Sequence, residues 1–389
     1  MSFNIEMLCA FLYNDYDMTR TLIFGGAFDP PHKEHVALCR YAMHALDADR
    51  LVIVPTYLPP HKNAGFLSFE DRCRLVELAF EGTNFTIDCI ERDRGEDNYS
   101  SEVLPLLKQK YGDVVYLIGG DSVAHFHTWH EPKTVANACP IAVVAREGYG
   151  DVRQKTAELM SKYGGSFTVL DYDGKDISSS MLRARLLLGE KPSEIPQSVL
   201  NEIQNRHLFC DYEEAVQKLR GYQTDELFRH SIAVVKRAVD LNSKHHLGQD
   251  FKQVFLAALL HDNAKQRPSI DGLCVPQDAI GTPVLHQFLG AEKARRDFGI
   301  EDEQILDAIR YHTTAKSDMT VLQKLIYTAD SVSDDRDYEP IITLRSLAVQ
   351  DFDKGFLALL EYTYEKLLAK GGAVYPLTKE AYLYYIKNK

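Results

Sequence analysis

The 389-residue chain contains no run of eighteen consecutive apolar residues, so we expect no hydrophobic helix that spans a membrane. Its seven cysteines are never spaced C-x-x-C, which argues against a zinc knuckle and indicates free thiols in a reducing cytoplasm. Lysine and arginine number 44 against 56 aspartates and glutamates, and the formal net charge is −12. General nucleic-acid binding needs a positive surface, so we expect no nucleic-acid partner. Any anionic ligand must be met by helix N-termini, a few cations or a metal.

Residues 1–17 also lack lysine and arginine, and they contain no long apolar block. A secretory signal peptide needs both features, so this segment does not resemble one. We expect residues 1–20 to form an extension that adds no chemistry, and the sequence leaves open whether Met1 or Met18 is the native start.

Short apolar runs alternate with helical patterns in the first half of the chain. The runs are TLIF (21–24), LVIVP (51–55), FTIDCI (85–90), VVYLIGG (114–120), IAVVA (141–145) and SFTVL (166–170). This alternation predicts βαβ units and a mainly parallel sheet covered by helices. Ligands in such folds bind at the carboxyl ends of the strands.

The second half shows long helical patterns and no convincing strand, which predicts an all-α region from about Asp211. A chain of this length is expected to form two domains. We therefore predict an α/β domain over residues 21–207 and an all-α domain over residues 208–389.

The first predicted strand leads directly into GGAFDPPHKEH. Gly25 and Gly26 allow close approach to the backbone, and a helix that begins a few residues later presents free N–H groups to an anion. His32 and His35 are three residues apart and so point from one side of the first helical turn. Two imidazoles beside a polyphosphate can stabilise charge that develops on phosphoryl oxygens. The alternative is a turn with two surface histidines, but strand, glycines and histidines together favour a phosphate site.

This motif resembles the signature of the adenylyltransferase superfamily, and five further segments resemble bacterial nicotinate-nucleotide adenylyltransferases in family order. They are PPHK (59–62), NYSSEVL (98–104), YLIGGDSVAHFHTW (116–129), VVAREG (143–148) and ISSSMLR (177–183). The resemblance implies a Rossmann-like nucleotidyltransferase domain that transfers AMP from ATP to nicotinate mononucleotide and releases pyrophosphate. It implies Mg²⁺ on the leaving group and no protein nucleophile. Nicotinamide mononucleotide, or another phosphate ester, stays open as the acceptor.

The resemblance also implies the roles of individual residues. The catalytic residues would be His32, His35 and Arg183, and the substrate contacts would come from Gly25, Gly26, Ala27, Phe28, Lys62, Ser100, Gly119, Asp121, Trp129, Arg146, Ile177, Ser178 and Ser179. Trp129, the single tryptophan, would stack on the pyridine ring, although a core aromatic is the alternative. Asp121 would contact ribose or Mg²⁺. Serines at a helix start suit phosphate binding, and Arg183 one turn later can form charge-assisted hydrogen bonds.

Three residues depart from the family pattern: Glu34 replaces a glycine, Ser100 a threonine and Gly120 an alanine. A carboxylate beside a triphosphate would repel it. We therefore expect the Glu34 side chain to face solvent or to pair with Lys33. If Glu34 has instead disabled the site, the first domain would be a scaffold.

Six ionisable residues lie on inward faces or at ends of separate helical patterns in the second half: His230, His261, Asp262, His286, His312 and Asp330. Buried ionisable groups are costly unless they are paired or bound to metal, so a metal site is favoured over hydrogen-bonded core histidines. Imidazoles and carboxylates without cysteine suit divalent Fe, Mn, Co or Zn. Two metals that share Asp262 could clamp a phosphate and generate hydroxide near neutral pH.

The order H…HD…H…H…D resembles the HD-domain phosphohydrolases, in particular the branch that splits diadenosine tetraphosphate into two ADP. The resemblance implies one or two metals with iron as the first choice, a catalytic Asp262, and phosphate contacts from Lys265 and Arg336. Other nucleotides remain alternatives as substrate, and so does a nucleotide-sensing module without turnover. Asn263, Ser333 and Asp334 depart from this branch, but none is at a ligand position.

We expect a cytoplasmic bifunctional enzyme whose partners are ATP, nicotinate mononucleotide and diadenosine tetraphosphate or a related nucleotide. The sequence leaves the oligomeric state open.

Overall fold

The computed structural model describes residues 19–58, 67–95, 98–145, 151–270, 272–371 and 373–387. These residues divide into two compact units. The first runs to Ser179 and includes Ser193–Leu208, and the second consists of Ser180–Pro192 and the chain from Phe209 onward. The predicted domain limits differ from these units in the placement of Leu208 and of residues 180–192, because the latter stretch packs with the helices of the second unit. Among the helices described, none is both long and apolar enough to cross a membrane.

The first unit is built on a six-stranded parallel sheet with the strand order β3-β2-β1-β4-β5-β6. The strands are β1 (Thr21–Gly26), β2 (Arg50–Pro55), β3 (Phe85–Ile87), β4 (Val114–Gly119), β5 (Ile141–Val144) and β6 (Phe167–Leu170). A parallel sheet is buried on both faces, which explains why its strands are continuous apolar runs. The order reverses between β1 and β4, and ligands of open α/β sheets bind at such a switch point. The predicted parallel sheet is confirmed.

The third predicted strand is shorter than its apolar run suggests. Asp88 is buried and ends the strand, because its carboxylate accepts hydrogen bonds from the Ile90 N–H at 3.0 Å and from Lys110 and Tyr111 at 2.8 Å. The chain then turns into a short helix instead of continuing to Ile90 as strand.

The helices of the first unit connect the strands. They are α1 (Lys33–Ala45), α2 (Phe69–Ala79), α3 (Ile90–Arg94), α4 (Ser100–Tyr111), α5 (Gly120–His125), α6 (Pro132–Ala138), α7 (Val152–Tyr163) and, after the sheet, α9 (Gln197–Asn205). Helix α8 (Ser179–Leu187) begins at the last residue before the division and continues in the second unit.

From Phe209 onward the described residues form helices and turns and contain no strand, as predicted. The helices are α10 (Glu213–Tyr222), α11 (Asp225–Lys244), α12 (Phe251–Leu260), α13 (Leu285–Phe298), α14 (Glu303–Arg310), α15 (Val321–Ser331), α16 (Ile341–Gln350), α17 (Phe352–Ala369) and α18 (Pro376–Tyr382).

Helix α12 lies at the centre of the second unit. Its residues from Val254 to Leu260 are all buried, and it packs against α11, α14 and α15. A helix that is apolar on every side is stable only inside a core. Because α12 ends at Leu260, the next two residues, His261 and Asp262, are placed in the interior.

Candidate active sites

The first candidate site begins where β1 ends and α1 starts. His32 is the N-cap of α1, and it accepts a hydrogen bond at Nδ1 from the His35 N–H at 3.4 Å. His35 returns the bond, since its Nδ1 accepts from the His32 N–H at 3.3 Å. The two rings stack with their centroids 3.5 Å apart. An Nδ1 that accepts a hydrogen bond carries no proton, so each neutral ring carries its proton on Nε2 and can donate it there.

Phe28 packs against His35, the second of these histidines. It is buried, adopts a left-handed φ of 52°, and packs its ring 5.3 Å from the ring of His35. A Cβ on Gly26 would lie 3.2 Å from the Phe28 ring, which is tighter than ordinary contact. Gly26 therefore makes room for Phe28, whereas a Cβ on Gly25 would make only ordinary contacts.

The end of β4 lies beside the end of β1 and supplies a second part of this edge. A Cβ on Gly119 would lie 2.3 Å from the Asp121 carboxylate, so a larger residue there would displace that side chain from its present position. Asp121 itself occupies the first turn of α5. The predicted residues Gly25, Gly26, Gly119 and Asp121 therefore share the carboxyl edge of two neighbouring strands.

Glu34 lies elsewhere than predicted. Its side chain is only 6% exposed, and its Oε1 has no hydrogen-bond partner among the described residues. A Cβ on Gly174 would lie 2.2 Å from this oxygen, so the carboxylate is held against the backbone of that glycine. The expectation that Glu34 faces solvent is wrong, because position 34 falls on the side of α1 that meets the segment before α8. The described contacts also contain no ion pair with Lys33, which is exposed.

The remaining predicted residues of this site are distributed as follows. Ser179 donates a hydrogen bond to the Pro30 carbonyl at 3.0 Å, which ties the start of α8 to the loop before the histidines. Ile177 and Ser178 are half-buried and directly precede α8. Arg183 is buried in the second unit, where its guanidinium lies 4.8 Å from the ring centre of Phe251. Lys62 and Arg146 lie outside the described residues.

Ser100 and Trp129 are the two residues predicted to contact the pyridine end of the acceptor. Ser100 is the first residue of α4, and its side chain hydrogen-bonds to Tyr116. Trp129 is half-buried and stacks on the core residue Phe126, with centroids 4.9 Å apart. One face of Trp129 therefore belongs to the core, which was the alternative to a purely ligand-binding role.

Two charged residues near this edge, buried Arg72 and partly buried Glu91, were missed by sequence reasoning. The Arg72 guanidinium donates to the Ala27 carbonyl at 2.8 Å and to the Tyr57 carbonyl at 3.2 Å. Glu91 accepts the Tyr57 N–H at 2.9 Å. Burial raises the pKa of Glu91 to about 7, although the Tyr57 N–H and the charge of Arg72 act in the opposite direction. Arg72 and Glu91 occur in ordinary charged stretches, and only the tertiary contacts distinguish them.

The second candidate site brings together all six predicted metal ligands of the second unit. His230 is on α11, His261 and Asp262 follow α12, His286 is on α13, His312 follows α14, and Asp330 is on α15. The two carboxylate oxygens of Asp262 face different histidines. Its Oδ2 lies 3.4 Å from His261 Nε2 and 3.9 Å from His230 Nε2. Its Oδ1 lies 3.4 Å from His286 Nε2 and 3.5 Å from His312 Nε2.

Three of these histidines are oriented by the backbone. Nδ1 of His261, His286 and His312 each lies 2.7 Å from the carbonyl oxygen three residues earlier in the chain. A carbonyl accepts only from an N–H, so the proton of each neutral ring is on Nδ1. The lone pair of Nε2 then points toward Asp262 and can bind a metal.

Two atoms at the centre of this cluster are suited to bind a cation. His261 Nε2 and Asp262 Oδ1 are both buried without a hydrogen-bond partner among the described residues. The ligand atoms of His230, His261 and Asp330, and those of His261, Asp262 and His312, lie within 4.8 Å of one another. Buried polar atoms are normally satisfied. Imidazole and carboxylate donors fit a divalent metal ion.

The charges of the cluster favour metal binding. Burial lowers the pKa of His286 to about 4, helped by the nearby His312, so His286 is neutral and its lone pair is available. Burial alone would raise the pKa of Asp262, but His261 and His312 hold it well below its ordinary value. The same balance applies to Asp330, whose pKa is lowered by its contacts with His230 and Arg336.

Lys265 and Arg336 lie at the rim of the cluster. Lys265 Nζ is 2.7 Å from Asp262 Oδ2, and Arg336 is 2.8 Å from Asp330 Oδ1. Their side chains are 44% and 31% exposed, so both cations can be reached from solvent.

Sequence reasoning missed three polar residues that hold the ligands. Gln287 is fully buried, and its Oε1 accepts the N–H groups of Thr313 and Thr314, which links α13 to the turn that carries His312. Thr313 Oγ1 lies 3.0 Å from Nε2 of both His286 and His312. Asp335 Oδ2 lies 2.8 Å from Nδ1 of His230. None of the three lies in the repeating pattern of inward histidines and aspartates, so the pattern could not reveal them.

Comparison with known proteins places the two halves in two families. The cytidylyltransferase-like family model matches residues 23–185, and the HD domain model matches residues 227–335. A protein of Mycoplasma genitalium named "Probable nicotinate-nucleotide adenylyltransferase/Ap4A hydrolase" is 27% identical over 357 residues, which cover 88% of this chain and 97% of that protein.

Two further relatives each correspond to one half. A protein of Gloeobacter violaceus named "Probable nicotinate-nucleotide adenylyltransferase" is 33% identical, with 48% of this chain and 94% of that protein covered. The symmetrical bis(5'-nucleosyl)-tetraphosphatase of Halalkalibacterium halodurans is 33% identical, with 43% and 94% covered. The chain therefore belongs to the nicotinate-nucleotide adenylyltransferase family in its first half and to the HD-domain family of symmetrical bis(5'-nucleosyl)-tetraphosphatases in its second.

Proposed function

We propose that this protein is a bifunctional enzyme. Its first half transfers AMP from ATP to nicotinate mononucleotide, which gives nicotinate adenine dinucleotide and pyrophosphate. Its second half hydrolyses diadenosine tetraphosphate to two molecules of ADP. The observation that carries the second activity is Asp262, whose two oxygens face two different sets of histidines. Similarity to a relative that bears both names, along 88% of the chain, supports the combination.

In the transfer reaction, an oxygen of the mononucleotide phosphate attacks the α-phosphorus of ATP in line. The bond from that phosphorus to the bridging oxygen breaks, and pyrophosphate leaves. His32 and His35 donate from Nε2 to phosphoryl oxygens as charge develops on them, and the N–H groups at the start of α1 act in the same way. Bound Mg²⁺ would neutralise the leaving group.

The other predicted residues position the substrates. Ser178 and Ser179 would bind ATP phosphates at the start of α8, and Arg183, Lys62 and Arg146 would supply positive charge. Ser100 and the open side of Trp129 would contact the pyridine end of the acceptor, and Asp121 would contact ribose or Mg²⁺. Gly25, Gly26 and Gly119 keep this edge of the sheet free of Cβ atoms, so the backbone can approach a phosphate.

In the hydrolysis, water attacks one of the two central phosphorus atoms and the bond between the central phosphates breaks. The hydroxyl goes to one ADP and the proton to the other. His230, His261, Asp262, His286, His312 and Asp330 would hold one or two divalent metals, with iron as first choice and Mn, Co or Zn as alternatives. Such metals supply Lewis-acid activation of water and phosphate. Lys265 and Arg336 would bind the polyphosphate chain, because both can exchange a carboxylate partner for a phosphate.

Product analysis with the full-length protein tests both activities. We expect nicotinate adenine dinucleotide from ATP, Mg²⁺ and nicotinate mononucleotide, and ADP alone from diadenosine tetraphosphate with Fe²⁺ or Mn²⁺. His35→Asn should abolish only the first activity and Asp262→Ala only the second.

Three outcomes would contradict the proposal. Faster turnover of nicotinamide mononucleotide than of nicotinate mononucleotide would show that the acceptor is a different one. Release of ATP and AMP would contradict symmetrical cleavage. Binding of diadenosine tetraphosphate without turnover would indicate a sensing module.

A further inference from the structure

The four imidazoles of the metal cluster are not oriented in the same way. His261, His286 and His312 use Nδ1 to contact a backbone carbonyl, at 2.7 Å in each case. His230 alone uses Nδ1 to contact a carboxylate, Asp335 Oδ2, at 2.8 Å. Its Nε2 lies 2.9 Å from Asp330 Oδ1, so the ring of His230 is held between two carboxylates.

The loop that carries Asp335 is firmly anchored. The guanidinium of Arg345 donates to the carbonyls of Val332, Ser333 and Arg336, at 2.8, 2.7 and 2.6 Å. Arg336 also donates to the Asp330 carbonyl at 2.9 Å. These bonds fix the backbone on both sides of Asp335, so little further conformational freedom is lost when its carboxylate contacts His230.

A carboxylate partner changes an imidazole ligand in two ways. It fixes the ring and its tautomer, as a carbonyl does, and its negative charge also makes the ring a stronger electron donor. The ion bound through His230 should therefore be held more tightly than the ion bound through His286 and His312, whose Nδ1 atoms contact only neutral carbonyls.

We propose that Asp335 is a positioning residue of the metal centre, which strengthens His230 as a ligand and makes the two metal positions unequal in affinity. The proposal rests on the metal-binding part of the proposed function and is independent of the identity of the substrate.

Titration of the metal-free, full-length protein with Mn²⁺ tests the proposal, with free Mn²⁺ followed by electron paramagnetic resonance and heat followed by calorimetry. We expect two classes of site in the unaltered protein. Asp335→Asn should weaken the tighter class by about 10- to 100-fold and leave the weaker class unchanged. Asp335→Glu keeps the charge and should restore part of the affinity.

The matched control is Asp334→Asn. Asp334 is the neighbouring carboxylate of the same loop, but it pairs with Arg237 and lies 3.7 Å from Arg345, with no histidine contact among the described residues. We expect Mn²⁺ affinity to be unchanged in this variant. Thermal unfolding of each metal-free variant reports whether it folds. If Asp335→Asn does not fold, the Mn²⁺ affinity of the tighter class in Asp335→Glu is compared directly with that of the unaltered protein.

The proposal is overturned if Asp335→Asn binds Mn²⁺ as the unaltered protein does, or if it weakens both classes equally. It is overturned too if Asp335→Glu, although folded, binds no more tightly than Asp335→Asn. If the unaltered protein binds no Mn²⁺ at all, the metal centre and the proposed hydrolase are both contradicted. If only the variants differ from expectation, the result concerns Asp335 alone.

Discussion

Glu34 is a buried carboxylate that lies between the two histidines of the first site in sequence, with its side chain against Gly174. It occupies the position of a motif glycine, and its Oε1 has no hydrogen-bond partner in the part of the chain that the structure describes. A negative charge at this position opposes the approach of a polyphosphate, and little water is present to screen it.

We expect Glu34→Gln to lower the KM for ATP by roughly tenfold, because the substitution removes the charge and keeps the shape of the side chain. Steady-state kinetics of adenylyl transfer, compared at low and high salt, would measure the effect. Glu158→Gln, on the exposed side of α7, is the control. A higher KM in Glu34→Gln would show instead that the carboxylate assists binding.

Glu91 gives the first unit a predictable dependence on pH. Burial raises its pKa from 4.5 to about 7, so within this window the folded protein binds more protons than the unfolded chain. The free energy of unfolding should therefore fall as the pH rises from about 4.5 to about 7. Glu91→Gln should remove this part of the dependence.

Urea unfolding followed by tryptophan fluorescence can measure this pH dependence of stability, because Trp129 is the only tryptophan and lies in the first unit. The difference between midpoints at about pH 5 and about pH 8 should shrink in Glu91→Gln. Glu77→Gln, an exposed residue of α2, should behave like the unaltered protein. An equal shift in both proteins would assign the pH dependence to other groups.

At the scale of elements, helix ends deliver the reactive groups. The first turn of α1 presents His32 and His35, and the abrupt end of α12 presents His261 and Asp262. Between elements, Gln287 on α13 holds the turn after α14 through two backbone N–H groups. The positions of His286 and His312 are thereby linked through one buried amide.

We expect Gln287→Ala to reduce the free energy of unfolding of the second unit by roughly 1–3 kcal/mol, since it leaves the buried N–H of Thr314 and the partly buried N–H of Thr313 without their acceptor. It should also reduce the hydrolysis of diadenosine tetraphosphate, because the turn that carries His312 loses its fixed position. Thermal unfolding and ADP release would measure both effects. Gln304→Ala, exposed on α14, should change neither, and a fully active Gln287→Ala would contradict the proposed link.

Features that depend on residues close together in the sequence could be predicted, whereas features that depend on residues far apart in the sequence could not. Periodicity and apolar runs predicted the parallel sheet, and the spacing of His230, His261, His286 and His312 predicted a common cluster. Both follow from local patterns. The burial of Glu34 could not be predicted, since it depends on Gly174, which is 140 residues away in sequence. The contact of Asp335 with His230 joins residues 105 positions apart and is equally invisible to a local pattern.

At the scale of the whole molecule, the two units should respond differently to metal. The second unit contains the buried carboxylate of Asp262 and the partly buried carboxylate of Asp330 among histidines, so an ion that binds only the folded form stabilises it. The first unit uses backbone N–H groups and imidazoles, and needs Mg²⁺ only with its nucleotide.

We expect removal of tightly bound metal by a chelator to abolish hydrolysis of diadenosine tetraphosphate and to lower the unfolding temperature of the second unit. A metal at one hundred times its Kd contributes about 2.7 kcal/mol. The unfolding transition reported by Trp129 should not move, and adenylyl transfer should return with Mg²⁺ alone. A shift of the Trp129 transition, or hydrolysis that survives metal removal, would contradict this division.

The reciprocal hydrogen bonds of His32 and His35 have a practical consequence for mutagenesis. Each ring serves the backbone at Nδ1, so replacement of either histidine by alanine would loosen the opening turn of α1 as well as delete a proton donor. Asparagine places an acceptor near Nδ1 and nothing near Nε2, and it is a favoured residue at helix starts. His32→Asn would therefore separate loss of chemistry from loss of local order, which an alanine scan of this loop would confuse.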